Sequence, residues 1–382
     1  MTWLYIEQTD VWLFRDGKPF SAGEEHMAQP LSTVANDGSR HLRGMLLGHS
    51  MADWQAYREQ QTHDTVVAEI TAQIGHPSFT HNGIENPPAL GNFSVAGPFL
   101  ARREEDDIVR YLPLPSDVVK QKDTESYFAL RPSKNKAMVA NWPQEGLVPL
   151  WSEVEDDIEA PDGSLWLEEA VLNDYLQGRK IKATKAEELY GVEPRFGTAI
   201  DYEHGSVRES MLYQAEFVRT RKNVGLLVKL GEDVTVPAQQ GTIAFGGEAR
   251  GARYEIIPES GITVQTGVSA PSQRLKVMLL TPAYFSGGWY PAQHNWSKFF
   301  NGQPVNLVAA SIGTAQRLGG WDVAHNIPKP MRAYAPAGSV FFFESDQPIL
   351  PPSGPLTETP GGELSLSKQG FGQIAVGTWE WL

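Results

Sequence analysis

The sequence predicts a two-domain protein of mixed strands and helices that leans toward sheet, and three observations support this. The chain has 382 residues, enough for two domains of about 150 residues each. Its 36 glycines and 27 prolines predict many turns and irregular connections. Short runs with the two-residue alternation of strands recur along the chain, whereas helical spacing is confined to a few segments.

The first half combines short strands with four predicted helices. Around His49 the apolar residues recur at helical spacing, with Arg40 and Arg43 on the opposite face. Thr184 and Glu187 have the spacing of a capping box, so we expect a helix to begin there. The predicted strands are 2–6, 11–14, 92–95 and 108–112, and the predicted helices are 39–57, 65–74, 164–176 and 184–190.

The second half is predicted to be sheet. A domain boundary near Gly191, where the last predicted helix ends, divides the chain into residues 1–190 and 191–382. The predicted strands are 211–218, 225–230, 275–279 and 339–343. The first two of these are expected to form a β-hairpin with a basic tip at 219–223.

The tail of the chain is spaced by glycines. Gly370, Phe371 and Gly372 predict a tight turn that feeds a final strand, because glycine adopts positive φ. Such a turn can expose N–H groups to an anion or can simply join two strands, and the local letters favour neither. The spacing also fits a dinucleotide-binding fingerprint, but that motif must open a helix within a βαβ unit, which is not predicted here.

Composition limits the possible functions. The formal net charge is −14 and the pI is near 5.1, so the chain alone should repel a polyanion unless basic patches or partner subunits help. The absence of cysteine excludes disulfides and thiolate chemistry. No run of about 18 apolar residues and no signal sequence is recognisable, so we expect no membrane span and a cytoplasmic location.

Catalytic and metal-binding patterns are weak. None of the 9 histidines stands in an H-E-x-x-H arrangement, and we expect no metal and no other cofactor. No Gly-x-Ser-x-Gly elbow is present. Adjacent acids at 156–157, 168–169 and 187–188 could cleave a glycoside, and 11 tryptophans could stack on sugars. A carbohydrate-active or carbohydrate-binding β protein is therefore one alternative.

Basic loops that contain glycine or aromatic residues recur along the chain. Cations and exposed amides beside aromatic rings suit single-stranded RNA, whose phosphates need charge and whose bases stack on rings. Each loop alone is weak evidence for RNA binding, and it is the number of such loops that supports it. The loops are 15–18, 40–43, 194–197, 219–222, 246–253, 328–332 and the tail.

Ordered motifs along the whole chain resemble the third subunit of the Cmr complex, the type III-B CRISPR RNA-guided effector. Their number and order are far more specific than one glycine loop. The motifs are FRDGKPF at 14–20, LRG at 42–44, GPFL at 97–100, LPLPSD at 112–117, EPRFGTAID at 193–201, MLY at 211–213, FVR at 217–219, GGEAR at 246–250, LTPAYF at 280–285, GW at 288–289, GWD at 320–322, PKP at 328–330 and PAGSV at 336–340.

The resemblance implies membership of the RAMP superfamily and an α+β fold of two tandem ferredoxin-like (βαββαβ) domains with insertions. It identifies residues 370–377 as the superfamily's glycine-rich loop. It also implies a non-catalytic scaffold in antiviral defence that grips the repeat-derived 5′ tag of the guide RNA (crRNA). The implied partners are the large polymerase/cyclase-like subunit and the adjacent backbone subunit.

The basic loops and the resemblance together predict a set of RNA-binding residues. They are Arg15, Lys18, His41, Arg43, Arg195, Arg250, Arg253, Lys329, Gly370, Phe371, Gly372 and Gly377. The main rival to a scaffold is a RAMP endoribonuclease that processes repeat RNA. His41 and His26 are its candidate general acid/base groups.

Overall fold

A computed structural model describes most of the chain as antiparallel sheets with few helices. The described residues are 2–14, 25–26, 50–59, 65–75, 91, 93–105, 107–134, 145–154, 157–161, 164–179, 181–201, 203–232, 234, 236, 238–247, 250–262, 267–319, 321–322, 327–328, 330–360 and 365–382. Within these ranges no α-helix is both long and apolar enough to cross a membrane.

The described α-helices all lie in the first half of the chain. They are α1 Met51–Arg58, α2 Thr65–Ile74 and α3 Glu169–Leu176. Ser50 caps α1, since its Oγ accepts from the Asp53 N–H at 3.2 Å and its own N–H donates to the Asp53 carboxylate at 2.8 Å.

Strands make up most of the remaining regular structure. Up to residue 185 they are β1 Thr2–Gln8, β2 Glu25–His26, β3 Val95–Arg103, β4 Ile108–Pro113, β5 Val118–Gln121, β6 Tyr127–Ala129, β7 Arg131–Pro132, β8 Leu150–Trp151, β9 Ile158–Glu159, β10 Leu165–Glu168 and β11 Thr184–Lys185. Beyond it they are β12 Tyr190–Asp201, β13 Ser206–Thr220, β14 Val224–Leu230, β15 Gln240–Ala244, β16 Gly251–Pro258, β17 Ser272–Leu279, β18 Asn306–Ser311, β19 Gln316–Leu318, β20 Trp321–Asp322, β21 Ile327–Pro328, β22 Arg332–Tyr334, β23 Val340–Ile349 and β24 Ile374–Thr378.

The largest sheet has eight strands in the order β11-β10-β4-β3-β14-β1-β16-β15. Its strand β1 pairs antiparallel with both β14 and β16. Side chains alternate between the two faces of a strand, so Trp3 and Tyr5 enter one core cluster and Leu4 and Ile6 enter another. Both faces of β1 are therefore buried, which explains its almost unbroken apolar sequence.

A second sheet has four strands in the order β18-β23-β17-β24. Phe341 and Phe343 of β23 point into one core cluster, whereas Phe342 points to the opposite face. On that face, helix α3 packs against β24 through Leu176, and a Cβ added to Gly377 would lie 2.6 Å from the Leu176 carbonyl oxygen. Gly377 is thus a close-approach residue that lets α3 lie against the sheet.

Helix α3 also anchors the first sheet through a buried ion pair. The Glu169 carboxylate accepts two hydrogen bonds from the Arg110 guanidinium of β4, at 2.6 and 2.8 Å. The guanidinium carbon lies 4.4 Å from the centre of the Phe99 ring. Bidentate pairing satisfies both charges where water is excluded.

The predicted fold of two tandem ferredoxin-like domains is wrong, because the described chain forms several antiparallel sheets instead. That fold requires helices as the crossovers between strands. After β17 the four-stranded sheet has only the 3-10 turns Ala292–His294 and Trp296–Phe299, and before β24 it has Ser367–Gln369. Glycines and prolines interrupt both connections, and these residues do not sustain a helix.

Some predicted elements are confirmed and others are wrong. The helix at 65–74, the strand at 108–112 and the final strand are confirmed. The helix predicted at 164–176 begins only at Glu169, after strand β10, and the one predicted at 184–190 is a strand and a 3-10 turn.

The hairpin predicted from 211–218 and 225–230 is also wrong in its pairing. Both segments are strands, but β13 pairs with β12 whereas β14 pairs with β1 and β3. The chain passes from one sheet to another at 221–223. Gly191, at the predicted boundary, lies inside β12, and strands from both sides of it share the eight-stranded sheet.

Candidate nucleic-acid interface

One of the predicted RNA-binding residues, Arg195, lies on a long β-hairpin formed by strands β12 and β13. Strands β12 and β13 pair antiparallel from Tyr190 and Thr220 to Asp201 and Ser206. At its base, Trp12 and Val218 exchange backbone hydrogen bonds of 2.9 and 2.8 Å. Within the described residues β12 has β13 as its one partner strand, so its other edge is open.

The inner face of the hairpin brings two predicted cations together around one ring. Phe217 is buried in a small cluster with Val11 and Leu13. The guanidinium carbon of Arg195 lies 5.0 Å from the centre of the Phe217 ring, and that of Arg250 lies 4.8 Å from it. These distances are typical of cation–π contacts. The structure therefore joins Arg195 and Arg250, which are 55 residues apart in sequence (250 − 195).

Beside the Phe217 side chain, two carboxylates and two arginines form a closed set of ion pairs. Arg195 contacts Glu193 at 2.7 Å and Asp10 at 3.2 Å. Arg219 contacts the same two carboxylates, at 2.7 Å and 3.0 Å. We call Asp10, Glu193, Arg195 and Arg219 the ion ring. Exposed pairs of this kind contribute little to stability singly, so the main effect of the ring is to fix where the guanidinium groups point.

The ion ring keeps its carboxylates charged. Hydrogen bonds from Arg219, and next from Arg195, lower the pKa of Asp10. The same two donors lower the pKa of Glu193. Both acids therefore stay ionised at neutral pH and offset the charge of the two arginines. A phosphate approaching Arg195 must compete with these carboxylates.

The outer face of β12 carries an exposed apolar stripe. Val192 and Phe196 are 46% and 70% exposed, and their even spacing places them on the same face of the strand. Ile200, which is 50% exposed, follows a register shift between Thr198 and Ile200. Exposed rings on an open strand provide stacking surfaces for unpaired bases. The loop interpretation of 194–197 is thus replaced by an extended strand that presents Phe196 outward.

The hairpin tip groups three potential ligand side chains. Asp201, Glu203 and His204 have ligand atoms within 4.8 Å of one another. The Asp201 carboxylate accepts from the Glu203 N–H at 2.9 Å and lies 3.0 Å from His204 Nδ1. The contact with His204 is the main cause of the lowered pKa of Asp201. The turn itself accounts for these contacts, and they do not identify a metal site.

The glycine turn of the tail faces into the protein. Gly370 and Gly372 have φ of 92° and 69°, so the tight turn that feeds the final strand is confirmed. Phe371 is buried and stacks on Tyr334 with ring centres 5.2 Å apart. The N–H groups of Gly370, Phe371 and Gly372 donate to Ser367, Leu366 and Pro282 carbonyl oxygens, at 3.2, 3.1 and 2.9 Å. These amides are therefore engaged within the chain.

The remaining predicted residues lie elsewhere or outside the described ranges. Arg253 is exposed on β16, opposite Glu7 of β1 and Thr242 of β15. Gly377 lies within β24 under α3 and is buried. Arg15, Lys18, His41, Arg43 and Lys329 lie outside the described residues. Whether any of these residues contacts RNA stays a prediction.

Sequence reasoning missed the residues that organise the interface. Phe217, Asp10 and Glu193 position the cations, yet none was predicted. The alternation at 211–218 carried a usable signal, because it places Phe217 and Arg219 on the same face of one strand. The pairing with β12, which brings Glu193 opposite Phe217, was not readable from that alternation.

Residues 4–379 match the family model described as "CRISPR-associated protein (Cas_Cmr3)". The chain belongs to this family. The match spans nearly the whole chain and confirms the resemblance drawn from the ordered motifs. No curated protein sequence matches the chain.

Solved structures of Cmr complexes share a distant likeness with this Cas_Cmr3 member. One is a cryo-EM structure of the type III-B Cmr-beta bound to cognate target RNA, with a TM-score of 0.47 and 14% identity. Another is of Cmr-beta bound to cognate target RNA and AMPPnP, state 1, with a TM-score of 0.48 and 15% identity. Each match covers 89% of this chain and 86% of the other. Likeness at this level does not by itself assign a fold.

Proposed function

We propose that the protein is a non-catalytic RNA-binding subunit of a type III-B Cmr effector complex. In this role it grips the repeat-derived 5′ tag of the guide RNA. It docks the large polymerase/cyclase-like subunit and the adjacent backbone subunit. The observation that carries the proposal is the family match over residues 4–379.

The β12–β13 hairpin is the surface that we assign to RNA. Phe196 offers an exposed ring for stacking, and Arg250 and Arg195 supply guanidinium groups on the opposite side. Base stacking on an exposed ring contributes about 1–3 kcal/mol per base. We do not assign the tail turn to this contact, because the N–H groups of Gly370, Phe371 and Gly372 already donate within the chain.

The net charge explains why the subunit needs its complex. At −14 the isolated chain repels RNA at long range. Neighbouring subunits must therefore supply cations, and the hairpin supplies stacking and orientation. We expect RNA binding that is weak for the isolated chain and strong for the assembled complex.

Reconstituted complexes test the proposal. Phe196→Ala should weaken retention of the guide RNA about tenfold, because it removes one stacking surface. Trp151→Ala is a matched control, since Trp151 is 49% exposed on β8, which belongs to a different sheet from the hairpin. Ultraviolet crosslinking should join the hairpin to tag nucleotides. Crosslinks that never involve the hairpin, together with unchanged retention for Phe196→Ala, would reject this assignment.

A further inference from the structure

A small cavity lies on the opposite side of the four-stranded sheet from its aromatic core. Its volume is about 120 Å³. Phe342 and Trp379 line it as apolar walls, and Arg131, Lys276, Thr378 and Glu380 contribute polar groups. A water molecule occupies about 30 Å³ of liquid, so the cavity has room for one tetrahedral oxyanion.

Lys276 is the most unusual group in this cavity. Its side chain is 3% exposed, although it stands on β17 within the sheet. Its Nζ donates to the Tyr175 carbonyl oxygen at 3.0 Å and lies 3.9 Å from the centre of the Tyr175 ring. An ammonium has three N–H donors, and within the described chain this carbonyl oxygen is the one acceptor that Lys276 has. The ammonium thus has donors left for a ligand.

Lys276 has one buried carboxylate, Asp117, and one further cation, Arg131, in its surroundings. Burial is the main cause that lowers the pKa of Lys276 to about 8. The charge of Asp117 raises this pKa, whereas the charge of Arg131 lowers it. Asp117 is itself fully buried, and its Oδ1 accepts from the Tyr175 hydroxyl at 2.8 Å. Arg131 pairs with Glu153 at 2.5 Å, and Glu380 pairs with Arg274 at 2.7 Å. Lys276 and Arg131 both line the cavity, together with the Glu380 carboxylate that Arg274 neutralises, and an anion between Lys276 and Arg131 would relieve the repulsion between these two cations.

We propose that this cavity binds a single phosphate group, held by the Lys276 ammonium and the Arg131 guanidinium. Lysine suits phosphate as a compact charge, and arginine adds directed donors. The Thr378 hydroxyl can add a further hydrogen bond from β24. The ligand is either free inorganic phosphate or the terminal phosphate of an RNA strand. The site is independent of the hairpin and of the proposed function.

Occupancy would join three separate parts of the chain. The cavity is bounded by β7, by the residues that follow α3, and by the end of β24. A bound phosphate therefore links the tail to the first half of the chain. Binding to the folded state alone stabilises a protein in proportion to the logarithm of ligand concentration.

Equilibrium dialysis of the full chain with inorganic phosphate, at constant ionic strength, tests the site. We expect one phosphate per chain, and an affinity at least about tenfold lower in Lys276→Met, since a charge-assisted hydrogen bond is lost. Lys229→Met is the matched control, because Lys229 also stands on a strand over an aromatic ring, Trp3, at 5.6 Å. Its phosphate affinity should equal that of the wild type.

Competition then identifies the source of the phosphate. An oligoribonucleotide with a 5′-phosphate that displaces the ion, while its 5′-hydroxyl counterpart does not, indicates a strand end. If neither oligoribonucleotide displaces the ion, the ligand is free inorganic phosphate. Each of these two results supports phosphate binding in the cavity. Absence of bound phosphate, or equal affinity in Lys276→Met and the wild type, would overturn the proposal.

A measurement on the wild-type chain covers the case in which Lys276→Met does not fold. Reductive methylation followed by mass spectrometry reports the access of reagents to each lysine. Phosphate should slow methylation of Lys276 several-fold and leave Lys229 unchanged. Equal rates at Lys276 with and without phosphate would also overturn the proposal.

Discussion

Thr281 holds the glycine turn of the tail from inside the protein, because its Oγ1 donates to the Gly370 carbonyl oxygen at 2.7 Å. The same hydroxyl accepts from the Gln373 N–H at 2.9 Å. With the neighbouring amides donating to Ser367, Leu366 and Pro282, the turn has its N–H groups directed inward. A tail that looks like an anion-binding loop in sequence is thus a packing element in the structure.

Gly372→Ala should destabilise the fold by about 1–3 kcal/mol, because a non-glycine residue is strained at its φ of 69°. The added Cβ would also lie 2.7 Å from Thr357 Cβ and 2.9 Å from the Leu356 carbonyl oxygen. Urea denaturation followed by circular dichroism measures the loss. Gly354→Ala is the control, since a Cβ there meets nothing within 4 Å. Equal stability of the two variants would contradict the packing role.

The tight turn of the tail was predictable from the sequence, but the direction in which its N–H groups point was not. Glycines around one aromatic residue specify a tight turn, since positive φ is a local property. The partner that fixes the direction, Thr281, is 89 residues away from Gly370. For the same reason the alternation in 211–218 predicted a strand correctly and its partner wrongly. Alternation defines faces, whereas pairing depends on the whole core.

The buried pair of Arg110 and Glu169 gives a second prediction. Arg110→Met should cost about 3–5 kcal/mol, because it leaves the Glu169 carboxylate buried without its counter-ion. The double variant Arg110→Met with Glu169→Met should recover most of this loss. Chemical denaturation of the single and double variants measures both effects.

The control for this pair is an ion pair near the surface. Arg103 and Glu255 lie 2.7 Å apart, with side chains 36% and 47% exposed. Glu255→Gln should therefore cost less than about 1 kcal/mol. A loss in Arg110→Met no larger than in Glu255→Gln would contradict the buried role of the first pair.

Glu358 gives the fold an acid-sensitive contact. Burial by itself raises the pKa of Glu358, but hydrogen bonds from Lys298, Ser286 and Ala292 outweigh it and hold the pKa at about 2. A carboxyl with a lowered folded-state pKa stabilises the fold at pH values above its unfolded pKa. The stabilisation is lost as the pH falls from about 4.5 through about 2.

Between pH 5 and pH 2, the free energy of unfolding should therefore fall less in Glu358→Gln than in the wild type, by roughly 3 kcal/mol at most. Urea denaturation at several pH values in this window measures the difference between variant and wild type. Glu104→Gln, in an exposed turn, should follow the wild type. An unchanged acid dependence in Glu358→Gln would show that this contact does not contribute.

Removing the negative charge of Asp10 from the ion ring should increase the affinity for RNA. Asp10 offsets the charge of both Arg195 and Arg219, so Asp10→Asn should leave more positive charge at the hairpin. Guide RNA should then bind the reconstituted complex more tightly, and the slope of log affinity against log salt should steepen by up to about 1. Asp346→Asn, on an exposed part of β23, is the control. If the affinity and the salt slope of Asp10→Asn equal those of Asp346→Asn, the arginines of the ion ring do not face RNA, and stacking on Phe196 must act without them.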